Sequence, residues 1–302
     1  MTKEMRANIL LFITALVWGF GFVAQKFGAS EMPPFYFNAV RFAIGTLALL
    51  PVLYYIEKTK VPRAFEEQKT NLKEEYFLGL LTGFFIFSGS ACQQIGIAYT
   101  TVGNAAFLTA CYIIIVPFFS IFLKQKLGLN IWIATILTLI GLYFLTVQDG
   151  LTFAFGDLII FLGSFLWSGH ILSVDYSTKR MSPIKLAFLQ FAVCSILNFI
   201  VALLFETFAL NQLIGALLPL LYAGLISAGI GFTLQLIGQK YAKPTPASLI
   251  LSLEIVFAFI FGILFFDEIP TFKTAIGAFL MFLGIIMAQL NLFDKKQLKQ
   301  EI

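Results

Sequence analysis

The chain has 302 residues, 59% of them hydrophobic and only 12% charged, with 36 phenylalanines and a mean hydropathy of +0.91. Water-soluble domains carry about a quarter charged residues. A composition this poor in charge excludes a soluble globular fold and describes a multi-pass membrane protein.

Apolar stretches of about 20 residues recur at 7–27, 35–56, 76–99, 103–123, 129–148, 156–176, 184–205, 214–238, 245–266 and 272–293. Each predicts a helix long enough to cross a hydrocarbon core of about 30 Å. Together they predict an all-α integral membrane protein of ten transmembrane helices. Almost every residue is used by a span, and the longest polar segment, "EKTKVPRAFEEQKTNLKEE" (57–75), is a loop too short to fold alone. The opening "MTKEMR" with its apolar run has the form of a signal peptide. It is expected to be retained, because an internal repeat uses that run as a structural element.

Taken in chain order, the spans carry few polar groups. The first has Thr14, Trp18, Gly21 and Gln25 on one stripe, with Lys26 at its outer end. The second sets Asn38, Arg41 and Gly45 on one face at i, i+3, i+7. The third adds Ser90, Gln93 and Gln94, and the fourth contains Pro117, which is expected to bend it. The sixth carries the single histidine, His170, in line with Gly163, Trp167 and Val174, and then Asp175, expected to be solvated like Lys26. Ser182-Pro183 and Thr245-Pro246 predict helix starts, an N-cap followed by a first-turn proline. The eighth span adds Ser227, Gly231 and Gln235. In the ninth, Glu254 lies among apolar residues, roughly 13 Å above Thr245 at 1.5 Å per residue and so near the midplane. Cys92, Cys111 and Cys194 all fall inside spans without metal-like spacing, and packing is the expected role.

The chain is written twice. A copy displaced by 149 residues sets Trp18 on Trp167, Pro34 on Pro183, and "RFAIG" (41–45) on "QFAVC" (190–194). A displacement of 142 sets "GSACQQIGIAYT" (89–100) on "GFTLQLIGQKYA" (231–242), so that Gln93 and Gln235 are repeat mates and are expected to face one another. Residues 1–149 and 150–302 are therefore predicted to be two five-helix repeats. An odd number of spans starts each copy on the opposite side, so the repeats are inverted. That is a transporter's architecture, with a site near the midplane between the halves.

Charge fixes the expected orientation. With the amino terminus inside, 17 of the 20 basic residues fall on cytoplasmic segments; only Lys26 and Lys273 lie near outer ends, and Arg41 is within a span. By the positive-inside rule both termini are cytoplasmic, in the plasma (inner) membrane. The net charge of +4 is accounted for by those loops. They attract anionic membrane lipids and require no nucleic acid.

Ten spans in two repeats, "VWGFGFVAQK" in the first helix, "PFYFNAVRFAIGTLALLP" in the second, "IAYTTVGNAAFLTACYIIIVPFFSIFL" through the fourth and "ASLILSLEIVFAFIFGILFFDE" in the ninth resemble the EamA-type transporters of the drug/metabolite transporter superfamily. The resemblance covers nearly the whole chain and implies movement of small metabolites, often outward. Glu254-Ile255 stands where that family commonly has Glu-Pro.

A charge at the centre of a helix in lipid costs on the order of 2.5–3.5 kcal/mol even on a lenient insertion scale, so such residues belong in a wet interior. The substrate-binding candidates are Trp18, Asn38, Arg41, Gln93, His170, Gln235 and Glu254. Arg41 suits a carboxylate or phosphate, or else an internal tether. Neutral amides suit an oriented polar ligand, or else interhelical contacts. His170 is a carrier for a coupling proton or a bonded interior histidine. At Glu254, desolvation favours the neutral acid and a neighbouring cation the charged one; it is expected to hold a substrate cation, a proton, or each in turn, or to be a helix-packing contact. No cofactor is expected. An enzyme is not: one histidine cannot build a His-Glu-x-x-His site, no Gly-x-Ser-x-Gly elbow occurs, and no Walker loop exists to use ATP. The expected activity is secondary transport, as an exporter, of a small polar metabolite, an amino acid or derivative before a nucleoside-like or quaternary-ammonium solute. A scramblase or channel is the reading outside that class.

The orientation predicts a labelling pattern. In a cysteine-free background, single cysteines at Glu31, Gly150 and Asn211 react with an impermeant thiol reagent from outside, while those at Gln68 and Gln297 do not. Labelling of the Gln68 position in sealed cells would overturn the orientation.

Overall fold

A computed structural model describes residues 2–59, 71–124, 127–146, 155–207, 209–266 and 271–289. Lys60, Arg63, Lys69, Lys126, Lys295, Lys296 and Lys299, and the labelling positions Gln68, Gly150 and Gln297, lie outside the described residues. Lipid offers the backbone no hydrogen bonds, so a spanning chain must satisfy its own. Among the described residues there is no strand.

The first half supplies α1 (Lys3–Glu31), α2 (Pro34–Thr59), α3 (Leu72–Ile97), the short pair α4 (Val102–Thr109) and α5 (Tyr112–Phe122), and α6 (Leu129–Thr146). The second supplies α7 (Phe155–Thr178), α8 (Pro183–Phe205), α9 (Leu210–Gly215), α10 (Leu217–Leu221), a π-helical segment Tyr222–Phe232, α11 (Thr233–Gln239), α12 (Pro244–Leu251), α13 (Glu254–Phe266) and α14 (Phe272–Gln289). Eight helical stretches are long and apolar enough to cross a membrane, and Leu129–Phe144 and Ala275–Ala288 are shorter apolar helices. The chain is a multi-pass membrane protein.

Burial is inside-out with respect to a soluble fold. Leu203, Leu204, Phe205, Phe272 and Phe279 are exposed, whereas Gln25, Asn38, Arg41, Gln94, His170, Asn198 and Glu254 are buried. In a lipid solvent, apolar side chains face out without cost and polar ones gain by facing each other.

Packing is reciprocal between the halves. α2 lies against α8, and α6 against α14. α3 contacts both α7 and α8, as the π segment contacts both α1 and α2. α4 and α5 pack on α7, and α12 and α13 on α1. Three polar clasps fix helix directions. Lys26 Nζ donates to the carbonyls of Ile97 (2.9 Å) and Thr100 (2.8 Å) at the end of α3. Glu206, just past α8, accepts from the backbone N–H of Phe35 (3.0 Å) and Tyr36 (2.9 Å) at the start of α2. Lys185 on α8 pairs with Glu75 on α3 at 2.8 Å. Lys26 is thus half-buried and engaged, contrary to the expectation of a solvated lysine. Asp175 likewise is buried and bonded to Lys179 at 2.7 Å, because its side of α7 faces the bundle.

Several predicted spans are interrupted. The fourth breaks at Ala110–Cys111 and the ninth at Ser252–Leu253, while the eighth runs through the π segment. Pro117 sits inside α5, six residues after the break at Cys111. Position 259, its mate at an offset of 142, is Phe, yet the ninth span breaks too; the proline is not the shared cause. In the ninth span Ser248 and Ser252 donate to the carbonyls of Thr245 (2.8 Å) and Leu249 (2.7 Å), but Ser90 and Ser164 make the same bonds inside unbroken helices, so these bonds alone do not account for the break. Ser182 is the N-cap before Pro183 as expected, but α12 starts at Pro244 with Lys243 as N-cap, which puts Thr245 within the first turn.

Close approach sets where side chains are forbidden. A Cβ added at Gly19 would lie 2.4 Å from Phe257 Cβ and 2.9 Å from the Glu254 carbonyl oxygen, whereas one at Gly103 meets nothing within 4 Å. Gly19→Ala should therefore cost about 1–3 kcal/mol, read as a lower melting temperature in detergent. Gly103→Ala should melt at or above wild type, since alanine is the better helix former by up to about 1 kcal/mol.

Candidate functional site

One cavity lies among α1, α2, α3, α4, α5, α7, the π segment, α11 and α13. It is lined by six of the seven residues singled out from the sequence: Trp18, Arg41, Gln93, His170, Gln235 and Glu254. Asn38 is placed elsewhere. It is fully buried against α3, where its Nδ2 donates to the Ser90 carbonyl at 3.0 Å.

Aromatic rings form the frame. Phe232, at the end of the π segment, lies 4.5 Å from Trp18, 5.8 Å from His170 and 5.9 Å from Trp167, on which it stacks at 18°. Trp18 and Trp167, which coincide at the sequence offset of 149, both contact Phe232. The stripe on α1 explains how Trp18 is held: Thr14 Oγ1 donates to the Gly231 carbonyl (3.2 Å) and Trp18 Nε1 to the Ser227 carbonyl (3.3 Å). A Cβ at Gly231 would come within 2.7 Å of that same Nε1. Part of the polar stripe is therefore interhelical adhesive, and part of it lines the cavity.

The amides are organised separately in the two halves. Gln93 donates to Gln25 Oε1 at 3.1 Å, while Gln235 donates to Gln239 Oε1 at 2.8 Å and Gln239 to the Ile171 carbonyl at 3.1 Å. Gln93 and Gln235 share the cavity and make no hydrogen bond to each other. His170 Nε2 bonds Gln190 Oε1 at 3.1 Å. Gln190 occupies the position that Arg41 holds in the first half, so the symmetry is broken by the polar groups.

The two charged groups are unequal. Glu254 accepts a hydrogen bond from Tyr112 Oη at 2.9 Å. Arg41, 3% exposed, makes no hydrogen bond or ion pair among the described residues; its guanidinium lies over the Phe42 ring at 4.7 Å and the Phe37 ring at 5.8 Å. Arg41 and Glu254 do not pair with each other. Five lining residues also hold a buried polar atom without a partner: Arg41 Nε, Thr109 Oγ1, Trp167 Nε1, His170 Nδ1 and Gln235 Oε1. Buried polar atoms are bonded as a rule, and five of the twelve exceptions among the described residues belong to side chains that line this cavity. Among the described residues no group of His, Cys, Asp or Glu has metal-binding geometry.

Sequence reading missed Tyr112, Thr109, Phe22 and Phe232, all of which line the cavity. A signal existed for one of them. Tyr112 is the mate of Glu254 at the same offset of 142 that relates Gln93 to Gln235. Phe232 stood unmarked among 36 phenylalanines.

The contrast between Arg41 and Asn38 is measurable without a ligand. A buried charge with no partner is destabilising by several kcal/mol, so Arg41→Met should melt at or above wild type. Asn38→Ala strands the Ser90 carbonyl and should lower stability by about 1–3 kcal/mol. A clear drop in melting temperature for Arg41→Met would make the guanidinium a structural tether.

The sequence is matched by the model of the EamA-like transporter family twice, over residues 5–147 and 154–290. It is 30% identical over 296 residues to an uncharacterized transporter of Archaeoglobus fulgidus, covering 96% of this chain and 87% of that one. It is also 25% identical over 278 residues to the uncharacterized transporter YoaV of Bacillus subtilis, covering 90% and 92%. A crystal structure with 18% identity superposes with a TM-score of 0.71 over 94% of this chain and 96% of its own, a likeness of fold. The chain belongs to the EamA-like transporter family.

Proposed function

We propose that this transporter is a secondary exporter of a small zwitterionic metabolite, an amino acid or derivative, across the plasma membrane by alternating access. The observation that carries the reading is a buried guanidinium, Arg41, and a buried carboxyl group, Glu254, on one cavity, neither of them in an ion pair among the described residues. A charge at either position costs free energy when the cavity is empty. A solute with a carboxylate at one end and an ammonium at the other supplies both counter-ions at once. The partnerless atoms of Trp167, His170, Thr109 and Gln235 then orient it.

Ten spans in two inverted repeats, 1–149 and 150–302, belong to the same proposal. The two separate family matches support it. So do the reciprocal helix contacts and the breaks at Ala110–Cys111 and Ser252–Leu253, which are 142 residues apart like the glutamines. In this reading both termini are cytoplasmic, and Glu254 takes either the substrate's ammonium or the coupling proton. The aromatic frame favours cations of any kind, which keeps a quaternary ammonium as the competing substrate.

Thermal shift of the purified protein separates these. Zwitterionic amino acid pools should raise the melting temperature, by the equivalent of about 2.7 kcal/mol at a hundredfold excess over Kd. Hydroxy-acid analogues without the amine, and esters without the carboxylate, should not. A shift with choline alone would transfer the assignment to quaternary ammonium. Glu254→Gln keeps the shape and removes the charge; it should fold normally and lose both the shift and net transport in proteoliposomes. Wild-type flux with an unchanged pH profile would sink the role of Glu254.

A further inference from the structure

Tyr112 is the first residue of α5 and Glu254 the first residue of α13. Each therefore stands immediately after the break in its span, at Ala110–Cys111 and Ser252–Leu253. They are related by the repeat offset of 142, and they bond one another across the cavity, Tyr112 Oη to Glu254 Oε1 at 2.9 Å, both nearly fully buried. We propose that Tyr112 is the positioning residue for Glu254, and that their hydrogen bond couples the two breaks so that the fourth and ninth spans rearrange together. The proposal rests on the reading of Glu254 as the group that binds substrate.

The packing on either side gives the bond something to transmit. α13 is seated on α1 at Gly19, where the Glu254 carbonyl lies 2.9 Å from the place a Cβ would occupy. α5 packs on α7, which carries Trp167 and His170. The only other side-chain hydrogen bond between the fourth and ninth spans, among the described residues, is Thr245 to Ser120 at 3.5 Å, long for two hydroxyls. The phenol takes one oxygen of the carboxylate and so aims the other. An acid in the first turn of a helix is also favourably placed against the helix dipole. At both breaks the helical ladder tightens to i−3 bonds, Cys111 N–H to the Leu108 carbonyl at 3.3 Å and Leu253 N–H to the Ile250 carbonyl at 3.1 Å, the poorer geometry that marks a point where a helix bends cheaply.

Backbone hydrogen exchange of the full-length protein in nanodiscs tests the coupling without any substrate. Peptides covering 106–114 and 248–257 report the two breaks. Tyr112→Phe should speed exchange by up to about ten-fold in both segments, the effect of losing one buried hydrogen bond. Glu254→Leu should do the same. Glu254→Gln keeps an oxygen that accepts from the phenol and should stay within about three-fold of wild type. Faster exchange confined to 106–114 in Tyr112→Phe would overturn the proposal, as would equal losses in Glu254→Gln and Glu254→Leu. If Tyr112→Phe does not fold, the Gln and Leu variants decide the matter between them. Coupled exchange without any thermal shift from zwitterions would sink the substrate assignment and spare the coupling; uncoupled exchange with an intact shift would do the reverse.

Discussion

An arginine in the middle of a hydrocarbon slab must be neutralised, hydrated or wrapped, and everything around the cavity follows from how this chain treats Arg41. It is wrapped, by Phe37 and Phe42, and left without an acceptor. Cation–π contact is worth about 0.5–2 kcal/mol, less than the several kcal/mol that burying a charge costs. The deficit is carried by the rest of the bundle. Apolar faces turned to lipid and small residues at crossings such as Gly19, Gly45 and Gly224 allow close packing. A helix bundle that could have placed a carboxylate beside the guanidinium instead places one elsewhere in the cavity, on Tyr112.

Symmetry and its violation have separate jobs. The apolar scaffold is nearly symmetric: Trp18 answers Trp167, and helix contacts exchange in pairs. The polar lining is not. Arg41 answers Gln190, His170 answers Gly21, and Glu254 answers Tyr112. One of those pairs bonds within itself, and one member of each of the other two bonds the other. Gln190 orients His170 at 3.1 Å, and Tyr112 holds Glu254 at 2.9 Å. Under the proposed function, a symmetric scaffold would supply two equivalent ways of opening, and an asymmetric lining would give a dipolar solute one orientation.

The sequence made the scaffold legible because its physics is one-dimensional. Apolar runs give spans, and offsets of 149 and 142 bring Trp18 to Trp167 and Gln93 to Gln235. Polar residues inside spans gave six of the cavity's lining residues, since a polar group in lipid has few other places to be. Asn38 was misplaced by the same logic, because a shared face with Arg41 cannot distinguish a cavity from a tight contact with the Ser90 carbonyl. The helix breaks at 110–111 and 252–253 were illegible. Hydroxyl back-bonds such as Ser252 to Leu249 also occur at Ser90 and Ser164 inside unbroken helices, so residue type does not mark where a helix tightens. Phe232 was illegible for the opposite reason, being an apolar residue whose importance lies in position alone. Lys26 and Asp175 looked solvated by their distance from the middle of a span. Yet the ends of α3 and α7 offered them carbonyls and a lysine.

The polar clasps at the two ends of the bundle are unequal, and this bears on which end yields first. Where α2 begins and α8 ends, Glu206 accepts two backbone N–H groups, charge-assisted bonds at a helix start where the dipole adds to them. At the other end, Lys185 and Glu75 join the same halves through one ion pair whose lysine side chain is 42% exposed, a contact worth about 1 kcal/mol or less. In the proposed alternating access, rocking of one half against the other opens one end while the other stays shut. In that proposed motion the paired backbone bonds to Glu206 are the harder clasp to part, and the Lys185–Glu75 ion pair the easier.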